Sequence, residues 1–149
     1  MTAVPRDPDF EARVRNSFTK QQFMATLGAR LERVVPGEVT IALPFRADLT
    51  QQHGFLHAGV VTSVVDSACG YAALSVMEPD AAVLSVEFKV NLLAPAAGMS
   101  FLAIGRVVRS GRTLIVCTGE LRAMHDERDT VVALMQGTMM AVREKGLSD

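Results

Sequence analysis

Val60 to Leu74 reads VVTSVVDSACGYAAL, a run in which Asp66 carries the only charge. Together with the segment before it, Gln51-Gln52-His53-Gly54-Phe55-Leu56-His57-Ala58-Gly59, it decides both the fold and the chemistry. From His57 to Met77 nearly every position is apolar or small, and at roughly 20 residues the stretch has the length of a bilayer span. Two features exclude that reading. Asp66 sits near the middle, where a carboxylate costs about 2.5–3.5 kcal/mol in a membrane, and no Trp, Lys or Arg anchors stand at the ends. A helix that is apolar on nearly all sides is instead one enclosed by its own domain. An ionised carboxylate in such surroundings is costly unless it is paired or hydrogen-bonded, so Asp66 reads as a catalytic base. The structural alternative is a carboxylate satisfied by the nearby hydroxyls of Thr62 and Ser63.

A chain of 149 residues is expected to form one domain, 1–149, with a real core. The net charge of -1 and a pI near 6.3 supply no basic face for nucleic acid. Met1 to Phe10 has no apolar core of a secretory signal, so a cytoplasmic location is expected. Cys69 falls in the apolar helix and Cys117 in a strand-like run, without C-x-x-C spacing, and both read as small core hydrophobes. His53 and His57 have the spacing of helical metal ligands, but Gly54 spoils the helix and no third ligand is evident; no metal is expected.

Around the central helix, predicted from about Ala58 to about Val76 and ending before Pro79, the periodicities place the other elements. Asp7 to Ser17 and Thr19 to Leu27 have helical spacing, with Phe10, Val14 and Phe18 on one stripe and Phe23 and Leu27 on another, giving an N-terminal helical segment over residues 1–27. Ala29 to Val35 and Glu38 to Pro44 alternate about the turn dipeptide Pro36-Gly37, with Val39, Ile41 and Leu43 on one face. Val83 to Leu93, Ser100 to Arg109, Arg112 to Met124 and Thr130 to Val142 read as strands, with a two-residue turn at Ser110-Gly111 and a polar turn over His125-Asp126-Glu127-Arg128-Asp129. The last three strands are expected to be consecutive antiparallel neighbours. The fold class is therefore α+β, a curved antiparallel sheet of five to six strands wrapped around one long helix.

Several motifs resemble those of the hotdog-fold acyl-CoA thioesterases of the PaaI-like group, named for phenylacetate degradation. The resemblance covers about Gly28 to Val142 and centres on an amide residue, a Gly, a His-Gly-Gly and an Asp nine positions after the His, here Gln51, Gly54, His57-Ala58-Gly59 and Asp66. Leu84-Ser85-Val86-Glu87-Phe88 ahead of Ala94-Pro95 is similar to the family's next strand, and Arg109-Ser110-Gly111-Arg112-Thr113-Leu114 to its coenzyme-contacting hairpin. The resemblance implies a hotdog fold and hydrolysis of an acyl-CoA thioester, with Asp66 activating water or attacking directly. It implies that Gln51 positions water or substrate, that the backbone N–H after His57 polarises the carbonyl, that Ser85 assists Asp66, and that no metal or organic cofactor is needed. Ala58 replaces the family's usual Gly, which retains the amide but adds a methyl at the approach to the thioester.

Elementary chemistry leads to the same residues. The first turn of a helix offers unpaired N–H groups and a favourable dipole for an oxyanion, and Ala58 and Gly59 sit there. Asp66 lies about eight residues on, roughly 12 Å along the axis, so one helix cannot place both ends around one carbonyl. Two antiparallel copies can, which predicts a homodimer with composite sites, and a dimer of dimers beyond it. His57 has two readings, orienting its loop or touching substrate; Ser85 can equally be a plain strand residue. Arg109 and Arg112 are either solvated surface or, with Ser110, Gly111 and Thr113, a seat for coenzyme A phosphates. Met124, Met135, Met139 and Met140 read as core filling, with an acyl pocket as the alternative. The rival functions are a hydratase or dehydratase acting on acyl thioesters, which needs a His with Asp or Glu, and a non-catalytic acyl-CoA sensor.

Overall fold

The computed structural model describes every residue except Met1, Thr2, Glu127, Lys145 and Ser148, so Glu127 of the expected polar turn lies outside the described residues. Two helices, α1 (Phe10–Lys20) and α2 (Gln22–Leu27), precede strands β1 (Arg30–Val35) and β2 (Glu38–Pro44); helix α3 (Ala58–Leu74) follows, then β3 (Ala82–Leu92), β4 (Ser100–Ser110), β5 (Leu114–Met124) and β6 (Asp129–Val142). The six strands form one antiparallel sheet in the order β1-β2-β4-β5-β6-β3, curved around α3 in the hotdog arrangement. The last three strands are consecutive neighbours, as their turns predict. No helix among the described residues is long and apolar enough to cross a membrane.

The sheet grips α3 because two positions on it carry no side chain. Gly105 of β4 and Gly119 of β5 are cross-strand register partners. A β-carbon on Gly105 would land inside the Ala68 carbonyl, and one on Gly119 would lie 2.5 Å from Val65 Cγ1 and 2.7 Å from Cys69 Sγ. The helix backbone therefore rests directly on the sheet. Val61, Val64, Val65, Ala68, Cys69, Ala72 and Ala73 fill that contact against Val39, Ile41, Leu43, Phe101, Leu121 and Met139, all essentially buried. Residues on β2 do share the expected face, since Val39, Ile41 and Leu43 are fully buried. The end of α3 is bolted to the β1–β2 turn: the buried Ser75 Oγ donates to Ala72 O (2.7 Å) and accepts from Gly37 N–H (2.8 Å), with Gly37 at φ 77°.

Four local expectations are corrected. The break between the first two helices falls at Gln21, not Ser17–Thr19, and α2 buries Met24 with Leu27 while Phe23 stays 53% exposed. Helix α3 ends at Leu74. The β4–β5 turn is centred on Arg112-Thr113 instead of Ser110-Gly111, because Gly111 N–H donates to Leu114 O and a side chain at residue 111 would press on that oxygen. Finally, α3 is not covered all round: Thr62, Ser63, Asp66, Ser67 and Gly70, at helical spacing, form a half-exposed stripe of small and polar residues. The open stripe runs beside β3, which is the sheet edge and leaves Leu84, Val86, Phe88 and Leu92 exposed.

Substituting Gly105→Ala should lower stability by about 3 kcal/mol, because the added methyl meets rigid helix backbone. Gly119→Ala should cost less, about 1–2 kcal/mol, because its contacts are side-chain ends that can shift; urea unfolding midpoints measure both.

Candidate active site

The loop ahead of α3 is closed on itself and tied to the core. Gln51 N–H donates to Phe55 O (2.9 Å), Gly54 N–H to Gln51 O (3.0 Å), Leu56 N–H to Ala96 O (3.1 Å) and His57 N–H to Leu49 O (3.0 Å). The Gln51 side-chain carbonyl accepts from His53 N–H. These bonds fix where α3 begins. His57 is its N-cap: Nδ1 accepts from Gly59 N–H at 2.9 Å, so the ring proton sits on Nε2. Gly59 has no β-carbon to push the ring away, since one built there would lie 3.0 Å from His57 Nδ1.

This cap settles the availability of the first-turn donors. Gly59 N–H goes to His57 Nδ1, and the amides of Val60 and Val61 both go to His57 O. Among the described residues only Ala58 N–H in this turn has no acceptor. Of the two expected first-turn donors, Gly59 N–H is therefore engaged by the cap and Ala58 N–H is open. An apolar cavity of about 500 Å3 opens beside that amide, walled by Phe55, Leu56, Val61, Leu92, Pro95 and Val132, with Gln51 its polar side chain.

Asp66 stands in the middle of the open stripe. Its Oδ1 accepts from Ser85 Oγ on β3 at 2.8 Å, not from Thr62 or Ser63; Ser63 Oγ donates instead to Gly59 O at 2.6 Å. No cation pairs with Asp66 among the described residues. Burial pushes its carboxyl above the ordinary aspartate range, and the Ser85 bond only partly offsets this. A recess of about 130 Å3 adjoins it, lined by Gln21, Ser67, Tyr71, Ser85 and Asp149 among others. Sequence reasoning missed Gln21, Tyr71 and Asp149, because they come from the N-terminal helices, the far end of α3 and the C-terminal end. The break in helical periodicity is expected at Ser17–Thr19 and so does not point to Gln21.

The hairpin residues are brought to the Asp66 end of the sheet. Ser110 pairs with Ile115, Ile115 with Met139 and Met139 with Ser85, a row of three inter-strand gaps, or about 14 Å at 4.8 Å per gap. Arg109 and Arg112 are exposed and make no ion pair among the described residues. The turn's own amides offer less than expected, since Gly111 N–H is spent on Leu114 O, while Thr113 O accepts from Ala141 N–H. Both thiols are enclosed, and burial pushes Cys117 up to about 12 and raises Cys69 too, which suits core residues. Met135 and Met139 are buried in the core. Among the described residues no cluster of three His, Cys, Asp or Glu could hold a metal ion.

The model of the thioesterase superfamily matches residues 53–130 of this chain. A crystal structure of a thioesterase family protein from Silicibacter pomeroyi is 52% identical, with TM-score 0.89, covering 91% of this chain and 99% of that one. A protein of Saccharolobus solfataricus described as a candidate esterase is 31% identical over 101 residues, 68% of this chain and 71% of its own length. The E. coli PaaI protein of the phenylacetic acid degradation operon shares the fold at 20% identity, with TM-score 0.80, over 90% of this chain and 94% of that one.

Because His57 caps α3, His57→Ala should lower stability by about 1 kcal/mol, and His57→Asn, whose short side chain can accept from the same amide, should recover most of it. Thermal unfolding of the three proteins checks this.

Proposed function

The chain belongs to the thioesterase superfamily, and from that premise we propose that it hydrolyses acyl-CoA thioesters to free acid and coenzyme A at sites shared between two copies. The observation that carries the reading is the Asp66 carboxylate, half-buried on the open stripe of α3, bonded by Ser85 and paired with no cation among the described residues.

The uncommitted Ala58 N–H of one protomer donates to the thioester carbonyl oxygen, and the partner subunit's Asp66 faces the carbonyl carbon. The exposed edge of β3, with Leu84, Val86, Phe88 and Leu92 unburied, supports a second copy pairing there and bringing the two open stripes together. As base, the carboxylate takes a proton from water while the new C–O bond forms and the carbonyl electrons move to the oxygen held by the amide and the helix dipole. Collapse of the oxyanion breaks the C–S bond, and the departing thiolate takes that proton from Asp66. As nucleophile, the same carboxylate would form an anhydride that water opens. The apolar cavity beside Ala58 receives the apolar part of the substrate, with Gln51 at the carbonyl. Arg109 and Arg112, at the Asp66 end of the sheet, meet the coenzyme phosphates. None of these steps calls for a metal or organic cofactor. The hydratase alternative needs a histidine as base, but His57 Nδ1, the ring nitrogen with the free lone pair, is spent on its cap.

Asp66→Asn should abolish thiol release across a panel of acyl-CoAs. The activity of the native chain should fall as pH drops through a carboxyl pKa above the usual value of about 4, because the base must be ionised. The linkage has the opposite sign for stability. A carboxyl whose folded pKa is raised contributes stability below its unfolded pKa and loses it as pH rises through the folded pKa. At neutral pH, Asp66→Asn should therefore be at least as stable as the native chain, while a destabilised variant would count against the raised pKa.

Complementation tests the shared site. Ala58→Pro removes the single donor at a helix position where proline is tolerated, and His57, at φ -61° and ψ 139°, already has the backbone that precedes proline. Each of Ala58→Pro and Asp66→Asn should be inactive alone. After unfolding and refolding together, half the dimers are mixed and each keeps one intact site, so about a quarter of native activity should return; sites built within single chains would return none.

A further inference from the structure

The recess against Asp66 is walled partly by a residue outside the matched region 53–130, Gln21 of the N-terminal helical segment. We propose that this recess holds the water that attacks the thioester and that Gln21 is the positioning residue that orients it for Asp66. The inference rests on the hydrolase reading above and adds to it where the water stands and what aims it.

The N-terminal segment is fixed firmly enough to place an amide. Arg13 Nη1 donates to Asp7 Oδ2 and Nη2 to Ala81 O, both at 2.9 Å. Phe18 packs edge-on against Tyr71 with ring centroids 5.7 Å apart. Between the two helices Gln21 leaves helical geometry, at φ -79° and ψ 93°, which turns α2 away and leaves the Gln21 side chain beside α3. Its Oε1 accepts from Ser67 Oγ at 3.2 Å, next in sequence to Asp66. With the amide oxygen so engaged, both Nε2 hydrogens remain to donate.

The polar inventory of the recess matches the four bonds of a reacting water. Ser85 Oγ donates to Asp66 Oδ1 at 2.8 Å, with Met139 Sδ as a longer second acceptor at 3.3 Å, so its own lone pairs can accept. A water in the recess donates one hydrogen to Asp66 and the other to Ser85 Oγ, accepts from Gln21 Nε2, and keeps one lone pair for the carbonyl carbon. Removal of the Gln21 donor leaves two lone pairs equivalent and the attack direction unset. The cavity is small and polar, which suits water and excludes an acyl chain. The other titratable groups near Asp66 are Tyr71 and Asp149 in the same recess and Cys69 on the buried side of α3. Asp149 is itself held by Val83 N–H (2.8 Å) and Ser17 Oγ (3.0 Å).

The test uses the full chain, a saturated acyl-CoA and three variants: Gln21→Met, Gln21→Glu and Asp66→Asn as the reference. Gln21→Met should lower kcat roughly 10- to 100-fold with KM within about twofold of native and an unchanged thermal midpoint. In the presence of hydroxylamine, which needs no base, its product should shift from free acid toward hydroxamate, after subtraction of the uncatalysed reaction. Gln21→Glu should move the acid limb of the kcat profile upward, because a carboxylate added to the recess beside Asp66 and Asp149 disfavours ionisation of Asp66. If Gln21→Met keeps native kcat while Asp66→Asn is inactive, the inference fails and the hydrolase reading stands. If kcat, KM and thermal midpoint move together with the acid-to-hydroxamate ratio unchanged, Gln21 is structural and the inference fails likewise. A native chain that releases no thiol overturns both.

Discussion

Everything in this molecule depends on how closely α3 can lie against its sheet. Gly105 and Gly119 face each other across β4 and β5, and a β-carbon would meet helix backbone at the first and the Val65 and Cys69 side chains at the second. That approach lets small residues, Val, Ala and Cys, fill the contact completely. It also fixes the helix's rotation: with one face pressed on the glycine pair, the opposite stripe at Thr62, Ser63, Asp66, Ser67 and Gly70 must remain open. Asp66 is half-buried because of that rotation, enclosed enough to lose hydration and open enough to meet a substrate.

The remaining carboxylates show how unusual its position is. On the sheet's outer face Arg33, Glu38, Arg106, Glu120, Arg122 and Asp129 form a ladder of alternating charge across five strands, with Arg106 bonded to Glu38 at 2.8 Å and to Glu120 at 3.0 Å. Glu120 and Asp129 in that ladder, and Asp7 and Asp48 elsewhere, are all held below their ordinary pKa by the guanidinium groups beside them. Apart from the buried Asp7–Arg13 pair, such exposed pairs contribute little individually. Their significance is contrast: Asp66 is the carboxylate driven the other way, by burial without a cation.

The sequence made the elements legible because hydrophobic period and turn chemistry are local properties. The apolar run with one acid, the Pro36-Gly37 turn and the alternation of Val39, Ile41 and Leu43 each named their structure directly. What stayed hidden depends on neighbours. Period alone could not say that β3 pairs with β6 and forms the sheet edge, nor that Met24 is chosen over Phe23, since one residue of rotation in a short helix reverses the two. The open stripe of α3 was written in small polar residues that look apolar in aggregate. His57 as a cap was obscured because histidine is not among the favoured capping residues, and its capture of Gly59 N–H could be seen only once the loop was closed by Leu49 and Ala96.

The edge of β3 joins stability to the proposed chemistry. Its 11 residues present unpaired backbone, and Leu84, Val86, Phe88 and Leu92 lie exposed along it. A long apolar edge is a hazard for any sheet unless something covers it. In the proposed dimer a second copy, paired antiparallel about a two-fold axis, would cover the edge with an identical edge and carry each α3 stripe toward the other. Ser85 belongs to that same strand and holds Asp66. In the proposed dimer, strand pairing therefore sets the distance between the carboxylate of one helix and the Ala58 amide of the next. Ser85 keeps its face through β3's own pairing with β6, and a slip in the proposed edge pairing would instead carry the Ala58 amide of one helix away from the partner's carboxylate.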